Sequence, residues 1–326
     1  MYLGSRMNED KPYLLIKRLA EGEFCSGEML ANLLGVSRTT VASYIKQLGL
    51  LGLDIFKVKG KGYRLSEPLS LLDQNLIKQS LPDNNPLVFN KLDSTNAWLM
   101  RHLHDLQHGQ LVLAEYQSLG RGRRGRDWQT PYAGQLCMSL LWHLEDGIEA
   151  AMGLSLAVGL AIVEALQECG YQQLGLKWPN DIYQNGKKLG GVLIEIQGHA
   201  NSKLSLVVGL GINVRVAKLH ADKIDQSFSQ LESEQSPAAD RSALSVAVVR
   251  SLNTMFEVFR EQGFAGLQQR WNQYDVFFNK PVCLRFSEHK LVSGVAKGVD
   301  ASGQLLLEND GLVRTYMAGE VSLRGQ

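Results

Sequence analysis

Four arginines and three glycines share the eight residues Gly120-Arg-Gly-Arg-Arg-Gly-Arg-Asp127, a segment with a net charge of +3. Arginine offers a forked, permanently charged donor set that matches carboxylate or phosphate oxygens. Glycine lets a backbone come close to a ligand and take positive φ. Together they suggest a loop that grips a small anion with main chain and side chains at once; the competing reading is a solvated basic loop. Gly120, Gly122 and Gly125 also fit G-x-G-x-x-G, but a dinucleotide fingerprint needs a helix after the glycines and an acidic residue about 20 positions on. Here Pro131 and the apolar run Leu136–Trp142 follow, so a second strand is expected where the helix should be. Gly125 is not followed by Lys-Ser/Thr, which excludes a Walker loop, and the companion motifs of a kinase are missing from the chain.

Other polar clusters stand at the ends of apolar runs. Asp93-Ser-Thr-Asn96 precedes the helical Ala97–Met100, and one of those small polar residues suffices for a helix cap. The others are free to meet a polar ligand. Lys177-Trp-Pro-Asn-Asp181 places a lysine, an amide and a carboxylate around a proline turn, more polar groups than a turn requires. Lys187-Lys188-Leu-Gly-Gly191 leads into the strand-like Val192–Glu195. Val208-Gly-Leu-Gly-Ile-Asn213 ends a strand on two glycines, where a ligand could lie against bare backbone.

These clusters need a scaffold, and 326 residues provide for two or three domains. With 44% hydrophobic and 21% charged residues the composition is that of an ordinary globular protein, and a net charge of +1 gives no overall nucleic-acid signature. The uncharged apolar stretch from Ala150 to Val163 falls short of the roughly 20 residues of a membrane span. It reads as part of a buried helix over 150–167, and a second helix is expected over 241–262. Strands are expected over 111–115, 136–142, 191–196 and 204–208. Cys25, Cys137, Cys169 and Cys283 are scattered without a C-x-x-C, the pattern of free buried thiols in a reducing cytoplasm rather than of a zinc site. No secretory leader pattern opens the chain, and Met7 is a candidate start. His102 and His104, at i and i+2, cannot share a helix face and read as surface residues rather than ligands.

Residues 1–66 have a logic of their own. Helical spacing of apolar residues over 13–20 precedes a short helix capped by Ser26, a break at Gly35-Val36 and a third helix, capped by Ser37, running to about Leu48. Two short helices around a glycine turn form a helix-turn-helix, whose second helix reads DNA. Ser37, Arg38, Thr39, Thr40 and Ser43 on that helix are suited to base edges and phosphates. The segment Ile55–Leu65 alternates Lys57, Lys59 and Lys61 with apolar residues and glycines, the pattern of a basic wing. Residues 1–67 hold ten Lys or Arg against seven Asp or Glu, so the positive balance is local. A helical dimerisation module is the alternative reading.

The clusters at 94–96, 117 with 120–125, 177–181, 188–191 and 209–213, in that order and spacing, resemble those of the biotin protein ligases. With the N-terminal winged helix, the whole chain is similar to the bifunctional type, both ligase and repressor of the biotin operon. The resemblance implies an α+β fold: a winged helix-turn-helix (1–66), a class II synthetase-like mixed β-sheet with helices (67–275) and an SH3-like β-barrel (276–326). Short alternating runs and turns at Asp300–Gly303 and Asn309–Gly311 agree with the last unit.

It further implies biotin and ATP as substrates, Mg²⁺ with the ATP, biotinyl-5′-AMP as intermediate and a lysine of the biotin carboxyl carrier protein of acetyl-CoA carboxylase as acceptor. Biotin operator DNA, a homodimer when biotinyl-5′-AMP is bound, a cytoplasmic location and no membrane association complete the expectation. Residue by residue, Ser94, Thr95, Asn96, Gln117, Arg121, Gly122, Arg123, Lys188, Gly191, Gly209 and Gly211 match positions that hold biotin. Arg121, Arg123, Trp128, Lys177, Asn180, Lys188, Asn213 and Arg215 match positions around the nucleotide. Lys188, Arg123 and Asp181 are the catalytic candidates, with Asp181 orienting or deprotonating the incoming lysine. The family's adenine-covering segment often carries a tryptophan; residues 221–240 here have only Phe228. A biotin-sensing repressor without efficient ligase activity is the alternative, and lipoate ligation a more distant one.

Overall fold

The computed structural model describes residues 11–145, 147–198, 204–216, 227–232, 239–286, 291–317 and 322–325. The N-terminal unit has helices α1 (Lys11–Ala20), α2 (Gly27–Leu34) and α3 (Arg38–Leu50) and a hairpin of β1 (Ile55–Val58) and β2 (Gly62–Leu65). Ser26 and Ser37 cap α2 and α3, their hydroxyls accepting from Met29 N at 3.1 Å and Thr40 N at 3.0 Å. Gly35 ends α2 with φ 58°, a left-handed turn that costs glycine nothing. Gly62 is obligatory for a second reason: a Cβ there would stand 2.1 Å from Cys25 O. Ile16, Leu19, Val41 and Leu48, expected from their helical spacing, make the core of this unit together with Leu15 and Leu30, while Leu14 and Ile45 are only partly buried.

The core of the chain is a seven-stranded sheet in the order β3-β4-β5-β9-β8-β7-β6. Its strands are β3 (Leu87–Leu92), β4 (Leu111–Gln117), β5 (Gln135–Leu144), β6 (Leu174–Lys177), β7 (Asp181–Gln184), β8 (Lys187–Gln197) and β9 (Leu204–Asn213). Only β3 and β4 pair in parallel; the other pairings are antiparallel. Three of these strands, β3, β6 and β7, were not expected, being short and lacking a clear alternation. On the sheet pack α4 (Gln74–Ser80), α5 (Thr95–His102), α6 (Leu154–Glu168), α7 (Arg241–Gln262) and α8 (Gln268–Tyr274). The helix expected from residue 150 starts later, because Gly153 breaks the apolar run with φ 77°. A Cβ on Gly153 would meet the Phe264 side chain at 2.5 Å, so the break is where two segments must touch. The stretch Ile148–Glu168, which includes α6, is long and apolar enough to pass for a membrane span, yet Leu156 to Leu166 are almost wholly buried in the core.

The C-terminal strands β10 (Pro281–Arg285), β11 (Leu291–Val299), β12 (Leu305–Asn309), β13 (Leu312–Tyr316) and β14 (Ser322–Gly325) form an antiparallel sheet ordered β13-β12-β11-β10-β14. Gly303 and Gly311 supply positive φ in its two expected turns. The first turn docks on the central unit: Trp178 Nε1 donates to Gly303 O at 3.1 Å, and an added Cβ on Gly303 would lie 2.8 Å from Gly153 Cα.

The winged helix is joined to the rest through apolar contact, since Tyr132 and Ala133 share its core cluster. Next to that junction lies a fully buried ion pair, Arg241 with Glu115, both 0% exposed. Arg241 also donates to Ser70 O and Gln135 O, and Glu115 accepts from Leu72 N at 2.6 Å. Burial, reinforced by the Glu115 and Asp73 carboxylates, pushes the Tyr13 hydroxyl up to about 12. All four cysteines are free thiols, but Cys169 is exposed at the end of α6 and Cys283 is only half-buried, against the expectation that all are buried.

Candidate functional site

A cleft of about 1170 Å³, counted out to its open mouth, runs along the β8–β9 surface. Three backbones make its floor: Gly191 on β8 and Gly209 and Gly211 on β9. On β9 the lack of side chains is required, because a Cβ on Gly209 would stand 2.0 Å from Asn96 Oδ1 and one on Gly211 would stand 2.7 Å from the Trp128 ring.

One end of the cleft is uncharged and fully bonded. Ser94 caps α5, its hydroxyl accepting from Ala97 N at 3.4 Å. Thr95 and Asn96, 3% and 4% exposed, do more than cap. The Thr95 amide and hydroxyl both donate to Gln117 Oε1, at 2.8 and 3.1 Å. Asn96 Nδ2 donates to Leu193 O at 3.2 Å and Glu195 Oε2 at 2.9 Å. Beneath them the Ser139 hydroxyl, on β5, lies 2.6 Å from both Thr95 Oγ1 and Asn96 Oδ1. Amide and hydroxyl groups held this way have fixed donor and acceptor directions, which is what a buried polar ligand needs.

The other end carries positive charge. The arginine loop is folded into a closed turn: Arg121 bridges Asp127, Gly122 N donates to Arg126 O at 2.7 Å, and Trp128 N donates to Gly120 O at 2.8 Å. Arg124 and Gly125 take φ 60° and 69° at its tip. Arg121 leans on Glu195 at 3.3 Å. Arg123 turns inward, donating to Asn180 Oδ1 at 3.2 Å; burial pulls its guanidinium below the usual arginine value, opposed by the Asp181 carboxylate. Asn180 in turn donates to Val192 O at 2.7 Å. Across the turn with the cis Trp178–Pro179 peptide, Asp181 faces two lysines: Lys188 Nζ at 2.7 Å and Lys177 Nζ at 3.9 Å. The Lys177 ammonium also stands 5.6 and 5.8 Å from the Tyr183 and Phe277 ring centres. An incoming carboxylate–triphosphate pair would meet Arg121, Arg123, Lys177 and Lys188 together.

Among the described residues, the cleft gathers Ser94, Thr95, Asn96, Gln117, Arg121, Gly122, Arg123, Trp128, Lys177, Asn180, Asp181, Lys188, Gly191, Gly209 and Gly211. Two residues expected near the nucleotide stand outside its lining. Asn213 is buried and bonded to Gln135 and Ser229 O, and Arg215 pairs with Glu67 at 2.7 Å and Glu232 at 3.7 Å. Past Gly211 the strand leaves the cleft, so neighbours in sequence are not neighbours in the site. Most of the adenine-covering segment, 221–226 and 233–238, lies outside the described residues; Phe228 pairs in parallel with Lys188. Sequence reasoning missed Ser139, Gln135 and Glu195. The one available signal was a polar residue inside or heading an apolar strand.

At the other extremity of the chain, Ser37, Arg38, Thr39 and Ser43 are exposed on α3, while Thr40 is half-buried and bonded to Ser37. Lys57, Lys59 and Lys61 are exposed along the wing. Phe24 braces the hairpin, with Arg64 at 4.7 Å and Lys61 at 5.8 Å from its ring centre.

Comparison with known proteins gives three matches along the chain: an HTH domain over residues 13–64, the biotin/lipoate A/B protein ligase family over 88–213 and the biotin protein ligase C-terminal domain over 277–324. The Escherichia coli bifunctional ligase/repressor BirA is 40% identical over 313 residues, 96% of this chain and 97% of that protein. The Bacillus subtilis bifunctional ligase/repressor BirA is 29% identical over 306 residues, 92% of this chain and 94% of that protein. The biotin protein ligase of Aquifex aeolicus, solved with biotin and ATP, superposes with a TM-score of 0.64 at 27% identity, covering 74% of this chain and 99% of that one. Near-full-length similarity on both sides, with the glycine floor and cationic wall in place, leaves no room for another assignment: the chain belongs to the biotin/lipoate A/B protein ligase family.

Proposed function

We propose that the chain is a bifunctional biotin protein ligase and repressor: it forms biotinyl-5′-AMP from biotin and ATP, transfers biotin to a lysine of the biotin carboxyl carrier protein, and represses the biotin operon when the adenylate is bound. The observation that carries the reading is one cleft whose uncharged end and cationic end face each other across strands with glycine at Gly191, Gly209 and Gly211, in a chain that also bears a winged helix.

In the first step a carboxylate oxygen of biotin attacks the α-phosphorus, the bond to the bridging oxygen breaks, and pyrophosphate leaves. Both reactants are anions, so the site must supply positive charge that strengthens as charge moves in the transition state. Lys188 and Arg123 do this at the reacting carboxylate and α-phosphate, with Arg121 and Lys177 flanking them. Ser94, Thr95, Asn96 and Gln117 receive the ureido ring, and Gly209 and Gly211 make room for the Asn96 and Trp128 side chains that border it. Trp128 and Asn180 border the nucleotide. Mg²⁺ would come with the ATP substrate and offset phosphate charge; Asp127 and Asp181 are the carboxylates lining the cleft, and Asp181 already faces two lysines.

In the second step the carrier lysine amine attacks the acyl carbon, AMP leaves, and one proton of the ammonium must be removed. Asp181 is the cleft carboxylate placed to receive it once one of its two lysines turns to the adenylate. Two chains pairing when the adenylate is bound would present two α3 helices to an operator with half-sites one helical turn, or a multiple of it, apart. Carrier protein consumes the adenylate, so demand for biotin and repression become coupled.

Biotin-dependent exchange of pyrophosphate into ATP, followed by transfer of labelled biotin to an apo carrier domain, tests the reading. Adenylate-dependent operator binding without any exchange would instead identify a sensing repressor that has lost its chemistry.

A further inference from the structure

Trp128 lies flat on the backbone of Gly211, so close that a Cβ there would meet ring atoms at 2.7–2.9 Å. Its indole N–H donates to Gln135 Oε1 at 2.9 Å. Gln135 is 2% exposed, so the far side of its amide has no access to bulk water; Nε2 donates to Asn213 Oδ1 at 2.8 Å. Asn213 passes the polarity on, Nδ2 donating to Ser229 O at 3.0 Å, and Ser229 N donates to Lys188 O at 2.7 Å. The Lys188 ammonium then stands 5.7 Å from the centre of the Trp128 ring, which closes the circuit.

Each member can be read in one orientation only. An indole N–H is solely a donor, so Gln135 must present its oxygen to Trp128 and its NH₂ to Asn213. Asn213 must therefore offer its own oxygen to Gln135 and its NH₂ to Ser229. Reversing either amide would bury a donor against a donor, at the cost of a group left without a partner. The circuit thus ties the ring that borders the cleft to the backbone carrying the lysine that Asp181 holds.

We propose that Gln135 is a positioning residue for adenylation: it fixes Trp128 and, through Asn213 and Ser229, the seat of Lys188, without touching substrate. This rests on the reading above, in which Lys188 acts on the reacting carboxylate. Thr95, Gln117 and Ser139, at the uncharged end of the cleft, bond among themselves, and their link to the circuit runs through a weak donor, the Cys137 thiol, 3.6 Å from Gln135 Oε1. Loss of Gln135 therefore lowers turnover and leaves biotin recognition nearly intact.

The test compares Gln135→Met, Trp128→Phe and the double variant. Met keeps the length of Gln and removes both polar ends; Phe keeps an aromatic face and removes the N–H. In biotin-dependent ATP–pyrophosphate exchange, each single variant loses about two- to tenfold in kcat, the factor one hydrogen bond contributes, with biotin KM changed less than twofold. The double variant is no slower than the slower single, because both changes break the same link. Losses that multiply in the double variant, or that fall on biotin KM, overturn the proposal. A second readout needs no ligase activity, so it stands even if wild-type protein shows no exchange and the functional reading itself fails. The Trp128 indole ¹⁵N–¹H resonance, identified by its disappearance in Trp128→Phe, shifts in Gln135→Met and also in Asn213→Ala. An unmoved resonance in Gln135→Met refutes the hold on Trp128, and one unmoved in Asn213→Ala refutes the relay.

Discussion

Replacing Arg241 with methionine removes a guanidinium that is 0% exposed and that serves three partners at once: the Glu115 carboxylate, Ser70 O and Gln135 O. Methionine fills much of the volume, so the cost is electrostatic rather than a cavity. Glu115, also 0% exposed, keeps only the Leu72 amide and becomes a nearly uncompensated buried charge. Breaking a buried pair from one side costs about 3–5 kcal/mol, a large share of the 5–15 kcal/mol that typically holds a domain folded. At about 2–4 °C per kcal/mol for a unit of this size, the melting temperature should fall by roughly 6–20 °C. The loss is expected in the transition of the central unit, and it weakens the seat of α1, since Tyr13 stands close enough to feel the Glu115 charge. Scanning calorimetry of Arg241→Met, Glu115→Gln and the double variant is the assay. Because the double variant buries no charge, it should be more stable than Arg241→Met alone. A melting point for Arg241→Met within about 2 °C of wild type, which is less than one kcal/mol on the same scale, or a double variant less stable than the single, would refute the reasoning.

Arg123→Ala should still release pyrophosphate but hold the adenylate for a time shorter by one to two decades, the equivalent of about 1.5–3 kcal/mol for a charge-assisted contact; an unchanged half-life of adenylate on the protein would mean that this arginine grips something else. Lys188→Ala should instead suppress pyrophosphate release itself by about 10²–10³-fold, read under saturating biotin and ATP. Arg38→Ala and Lys59→Ala should each weaken operator binding and flatten its salt dependence by about one unit of log–log slope where a phosphate contact is lost, with ligase activity unchanged. Burial raises the Asp275 carboxyl to about 6, and one of its oxygens has no hydrogen-bond partner among the described residues. Its stabilising contribution is therefore complete below the ordinary carboxyl range and is lost as pH rises through about 6. Urea titrations should show the gap between Asp275→Asn and wild type moving in favour of the variant by about 1–3 kcal/mol from pH 4 to 7.5; a gap independent of pH removes the argument.

Much of the site was legible because its chemistry needs unusual residues at unusual places. Two glycines closing a strand had no purpose in an isolated β9, and their neighbours show why: Asn96 and Trp128 occupy the space a Cβ would take. Three small polar residues at the start of α5 exceeded the needs of a cap, and Thr95 and Asn96 indeed turn their side chains to partners outside the helix. What escaped was whatever depends on distant partners. Glu115, in the run Leu-Val-Leu-Ala-Glu of β4, reads locally as an outward charge until Arg241, more than a hundred residues later, is placed against it. Gln135 heads β5 without any motif, and its role depends on Trp128 and Asn213 arriving from two other segments. Asn213 and Arg215 were named from the resemblance alone; both stand outside the cleft lining, Asn213 bonded to Gln135 and Arg215 to Glu67. The early helix start failed for a tertiary reason too, since hydropathy continues smoothly through Gly153 and only Phe264 and Gly303 explain the break.

Leu323, on the last strand, lines the cleft although it belongs to the C-terminal sheet. A bulky label placed on β14 would stand beside the opening through which a carrier domain has to present its lysine. It would compete sterically with the transfer step while leaving adenylation untouched, and so would mimic a defect in acceptor recognition. Affinity handles, surface tethers and fluorescent reporters intended for work on transfer are better attached by an internal exposed turn, such as the Asp310–Gly311 tip between β12 and β13.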